Sequence, residues 1–138
     1  MLDLTTDYLA IEPELVALLE RVEGIRKVYT SADLAEMQER SQITPAVHVI
    51  YRGDEVPLQA QGGALGHVTQ KWMVVLAINL RQKERAGVLL SRLIKAMSGV
   101  HTGLGPFNRV NAPQPSFRPG FGYYPLAFEI KFRTKGAR

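Results

Sequence analysis

VTQKWMVVLAINLR, residues 68–81, decides the class of fold. Read as a strand, it places Val68, Trp72, Val74, Leu76, Ile78 and Leu80 on one face, interrupted only by Gln70. The other face has an apolar patch of Met73, Val75 and Ala77, with Thr69, Lys71, Asn79 and Arg81 toward its ends. Side chains alternate along a strand, so its middle must be covered on both sides. The stretch is also about twice the usual strand length.

The flanking segments supply that cover. RGDEVPLQAQGGALGH, residues 52–67, is glycine-rich, polar and without helical period, and reads as a long hairpin loop. PAVHVIY, residues 45–51, is β-branched and aromatic, a strand opened by a proline that cannot donate to a ladder and so suits an edge. ERAGVLLSRLIKAMSG, residues 84–99, reads as a helix. Its stripe is Ala86, Leu89, Leu90, Leu93, Ile94 and Met97, Arg92 and Lys95 favour its C-terminal end, and Gly99 closes it. This helix is expected to cover one face of the sheet.

Further out, Leu15, Leu18, Leu19 and Val22 recur at helical spacing between Glu12 and Val22, with Pro13 in the first turn and Gly24 as the stop. Ile25 to Tyr29 reads as a short strand, and TSAD, residues 30–33, has the Thr-x-x-acid form of a helix start ahead of Leu34 and Met37. Glycine and proline crowd residues 103–122, where short edge strands or loops fit. YYPLAFEIKFR, residues 123–133, alternates Tyr124, Leu126, Phe128, Ile130 and Phe132 against Pro125, Ala127, Glu129, Lys131 and Arg133, a final strand. The expected fold is a single α+β domain over residues 1–138, a mostly antiparallel sheet flanked by helices, with no repeat and no linker.

Composition sets the limits on function. The chain has 138 residues, 46% hydrophobic and 22% charged, enough for one domain with a real core. It has no cysteine, which excludes disulfides, thiolate metal sites and a cysteine nucleophile. No run nears the ~20 apolar residues of a membrane helix, and the opening MLDLTTDYLA is acidic where a signal peptide is basic, so a cytoplasmic, membrane-free protein is expected. Charge is lopsided along the chain: residues 1–55 carry a net of minus 6, and residues 56–138 a net of plus 10. Such a pattern fits a nucleic-acid patch, self-association of unlike halves, or scattered solvated charge.

Chemistry is sparse. His48, His67 and His101 form no short-spaced metal pair, and His48, inside a strand, reads as structural. No serine sits in a Gly-x-Ser-x-Gly elbow, and GGALG at 62–66 and GLG at 103–105 lack the strand, helix and Lys-Ser/Thr of a phosphate loop. Glu12 with Glu14 opens a helix, and Asp54 with Glu55 is loop charge. No catalytic residue, cofactor or metal is expected. A nucleic-acid-binding domain remains as the alternative, through Arg81, Lys83, Arg85, Arg92, Arg109 and Arg118 with Phe107 and Phe117 as stacking groups, although these are scattered over several elements.

The order of elements, with PAVHVIY, QKWMVVLAI, AGVLLSRLIKAMSG and YYPLAFEIKF, resembles the tail terminator (tail completion) proteins of long-tailed phages and related contractile particles over roughly residues 10–133. The resemblance implies an α+β subunit without catalytic residues. It also implies a homo-oligomeric ring, a hexamer, that caps the tail tube or sheath and offers a docking surface to the head-tail connector. The place implied is the tail or neck of a virion assembled in the host cytoplasm. Ring contacts are expected at Arg52, Asp54, Glu55 and His67 of the hairpin and at Phe117, Phe121 and Tyr123.

Overall fold

The computed structural model describes residues 4, 6–34, 41–56, 65–98 and 106–135, with backbone alone at 34, 65–67 and 133–135. In chain order these form α1 (Ile11–Glu20), β1 (Lys27–Tyr29), α2 (Ser31–Leu34), β2 (Ala46–Glu55) and β3 (Leu65–Asn79). A 3-10 segment (Leu80–Arg85), α3 (Ala86–Met97), β4 (Asn108–Val110), β5 (Ser116–Arg118) and β6 (Phe121–Lys135) follow. The described strands make one six-stranded sheet in the order β1-β2-β3-β6-β4, with β5 also on β6. Among the described strand pairs, only β1–β2 is parallel. The α+β class read from the sequence is what the chain adopts.

β3 and β6 are each 15 residues long and pair along their whole length, from Leu65↔Lys135 to Asn79↔Phe121. On one face, Val47 and Val49 join Trp72, Val74, Leu76 and Ile78 and, across the β3–β6 pair, Leu126, Phe128 and Ile130. Ile11, Leu15 and Leu19 of α1 and Leu89, Leu93 and Met97 of α3 close over that face. The predicted helical stripes are therefore the surfaces that meet the sheet. α2 begins as its sequence suggested: the Asp33 carboxylate accepts from the Thr30 N–H at 2.8 Å and from its hydroxyl at 3.1 Å. These bonds hold the Asp33 carboxyl below its usual range.

Three differences from expectation bear on the exposed surfaces. β2 is not an edge, because β1 pairs on its outer side; Pro45 precedes the strand, where its missing N–H removes no ladder bond. The hairpin loop is shorter than residues 52–67, since β2 runs to Glu55 and β3 starts at Leu65. β3 stops at Asn79, whose side chain accepts from the Arg81 N–H at 2.9 Å and opens the 3-10 segment, so Leu80 and Arg81 leave the strand. Gly99, Met37, His101, the glycines of 62–64 and 103–105 and the hairpin middle at 57–64 lie outside the described residues.

Among the described residues, the second sheet face is covered only in part. At the β1 end, Gln42 bridges Tyr123 and His48: its amide Nε2 donates to the Tyr123 hydroxyl at 2.8 Å, and its Oε1 lies 3.1 Å from His48 Nε2. His48 is thus the structural histidine its strand position suggested, 6% exposed, with the rings of Tyr29 and Tyr123 nearby. Burial lowers its pKa below 6.5. The native state therefore binds fewer protons than the unfolded chain just below that value, and stability falls as pH drops through the folded pKa. The melting temperature is expected to fall between pH 7.5 and pH 5, and His48→Gln to flatten that dependence.

Candidate functional site

Beyond the Gln42 cover, the open face carries a half-buried row of Ile50, Met73, Ala127 and Val110, which are registered neighbours on four adjacent strands. Next to it run charged groups: Lys71 pairs opposite Glu129, and Arg52 Nη1 approaches Met73 Sδ at 3.3 Å. A recess of about 540 Å³ lies here, lined by Arg52, Lys71, Val110, Asn111, Pro113 and Glu129 among others. Among the described residues, no three His, Asp or Glu side chains gather as a metal ion would need.

The end of β2 depends on a bulge. Tyr51 pairs with Trp72 and Asp54 with Gln70, so Arg52 and Gly53 together oppose Lys71. Gly53 takes φ +97°, a conformation that glycine adopts at little cost. The extra residue reverses the alternation. Asp54 falls on the helix-bearing face, where the Tyr8 hydroxyl donates to its Oδ2 at 2.6 Å, and Glu55 falls on the open face, where it meets Lys71 at 3.1 Å. Burial, followed by the bond to Asp54, pushes the Tyr8 phenol well above its ordinary range. A strict two-residue period from Ala46 would have sent Asp54 to the open face, and the sequence offered only Gly53 as a signal.

The seven predicted interface residues divide between the two ends of β3. Arg52, Asp54 and Glu55 lie near its beginning, and His67 belongs to the described backbone there, registered with Arg133. Phe117, Phe121 and Tyr123 lie at the far end, where Phe121 is registered with Asn79. Glu55 pairs with Thr69, so the two groups are separated by ten β3 residues, roughly 30 Å. Tyr123 is committed to Gln42, and Phe121 is half-buried. Phe117 is 60% exposed, its ring edge-on to Tyr124 at 5.8 Å. It lies in a run, residues 111–120, whose ten residues are all exposed.

This geometry separates the proposed nucleic-acid groups. Phe107 is 2% exposed and belongs to the core, so it cannot stack on a base. Arg81, Lys83 and Arg85 are exposed on the 3-10 segment, Arg92 holds the Glu23 carbonyl at 3.0 Å from α3, and Arg109 and Arg118 lie on β4 and β5. Nor does the lopsided charge of the sequence become two separate bodies, because the fold sets β2 of the acidic half beside β3 of the basic half and joins them through Glu55 and Lys71.

A family model described as phage tail terminator protein matches residues 4–138. The chain belongs to the phage tail terminator family. No individual curated protein matches it. Membership makes this chain a structural component of a phage tail, in contact with other tail components. The arrangement above offers exposed surfaces at two ends of the sheet. Among the described residues, no helix is long and apolar enough to cross a membrane.

Proposed function

We propose that copies of this chain close into a ring, a hexamer, on the end of a phage tail tube. The ring stops polymerisation of tube or sheath and presents the surface on which the head-tail connector docks. It is assembled in the host cytoplasm and stays at the tail end of the neck. The observation that carries this reading is the placement of two unlike exposed surfaces at opposite ends of the β3–β6 ribbon: residues 52–56 at one, and the Phe117 segment at the other. A ring built by rotation needs such unlike patches, because each copy meets one neighbour with one surface and the next with the other.

The mass in solution, by light scattering with and without tail tubes, tests the reading. Ring-sized particles support it, and a monomer under every condition, tubes included, refutes it. Phe117→Asp is expected to keep the fold, at a cost of about 1 kcal/mol for the lost packing on Tyr124, while reducing ring mass or tail capping. A variant that forms rings and caps tails normally would remove Phe117 from the contact.

A further inference from the structure

The end of α1 and the turn after it face α3 across a groove of about 450 Å³. Leu18, Val22 and Ala96 line it with half-buried hydrocarbon, and Arg21, Arg92 and Lys95 bring three cations. Glu23 is the one carboxylate in the lining. A fourth cation lies close by, since a Cβ built on Gly24 would meet Arg92 Nη1 at 3.1 Å and Arg85 Nη2 at 3.6 Å. The same Cβ would come within 2.6 Å of Leu89 Cδ2, and Gly24 has φ +96°, so the close packing of this turn on α3 needs glycine.

The end of β2 has the complementary chemistry. Asp54, Glu55 and Val56 are all exposed, Val56 at 56%, which sets two carboxylates beside an uncovered apolar side chain. The Tyr8 hydroxyl and Lys71 engage these carboxylates, yet each carboxylate has four lone-pair positions and can accept further donors. The end of β2 in one copy cannot fill its own groove. β2 starts at Ala46 beside Lys27, just after the groove's turn, and reaches Glu55 nine residues later, roughly 30 Å away.

We infer that the end of β2 in one copy seats Val56 in the α1–α3 groove of the next, with Asp54 and Glu55 facing Arg21 and Lys95. The contact rests on the ring reading above, and the groove belongs to the far-end surface named there, since the turn that lines it leads into Lys27, registered through Ala46 and Ala77 with Tyr123. Apolar burial would supply part of the affinity, and the opposite charges would set register and speed encounter.

Exchanging the charges tests it. Lys95→Glu and Glu55→Lys, each exposed and outside the core, should fold normally by circular dichroism and each weaken assembly about tenfold or more at low salt. The double variant restores opposite charges in reversed order and should regain ring mass by light scattering. Single variants that form rings as readily as the parent would overturn the contact and leave the ring reading standing. A double variant as impaired as the singles would also overturn it, since complementarity would then not be what was lost. A parent chain that stays monomeric with and without tubes would refute the ring reading and the contact with it.

Discussion

Trp72→Ala should lower stability by about 3–5 kcal/mol, a large share of the ~5–15 kcal/mol that holds a domain of this size together. Trp72 is completely buried and lies in the middle of β3, registered between Tyr51 of β2 and Phe128 of β6. The Tyr51 ring centroid is 5.2 Å from its own, and its indole N–H donates to Gln70 Oε1 at 3.1 Å. Truncation removes the largest side chain of the core, leaves a cavity among residues fixed by two long ladders, and deprives a buried amide of its donor. Urea unfolding followed by circular dichroism measures the loss. A midpoint close to the parent's would show that Trp72 faces a surface, and its face of β3 would then have to be considered as an interface.

The sequence already carried the reason for this core. β3, β6, α1 and α3 were legible because each has a long stretch whose apolar period matches the element it forms, and burial depends directly on that period. What was hidden depended on contacts between distant residues. Gln70 looked like an interruption of an apolar face, because nothing near it in sequence reveals that the Tyr8 backbone, 62 residues away, meets its amide. Phe107 looked available for stacking for the same reason, since it lies in a glycine- and proline-rich stretch that shows no period. The re-aiming of Asp54 and Glu55 came from a single extra residue at Gly53, and a pattern of period two has no place for one. Both ends of the proposed contact were therefore composed of residues visible in the sequence, but their geometry was not.

Gln70→Leu, which replaces the amide with a branched hydrocarbon of roughly similar volume, should cost about 2–5 kcal/mol because two partners lose their bonds at once. Gln70 is completely buried, its Nε2 donates to the Tyr8 carbonyl at 2.8 Å, and its Oε1 accepts from the Trp72 indole. The indole N–H would have no replacement, since Trp72 is itself sealed from water. The Tyr8 side of the loss reaches further. Tyr8 packs edge-on to Phe132 at 5.7 Å and donates to Asp54, so Gln70 ties the segment before α1 to the end of β2. Releasing it should loosen Asp54 where the proposed subunit contact begins, and assembly should weaken beyond what the fall in stability explains. A double-mutant cycle with Trp72→Phe separates the effects, because the aromatic bulk stays while the N–H goes. If Gln70→Leu costs much less in the Trp72→Phe background than in the parent, the orphaned indole is the main loss. If the cost is equal in both backgrounds, the Tyr8 bond is the main loss, and hydrogen exchange should then show residues 6–10 opening more readily. A Gln70→Leu protein as stable as the parent would mean that the Gln70 amide bridge contributes nothing to the fold.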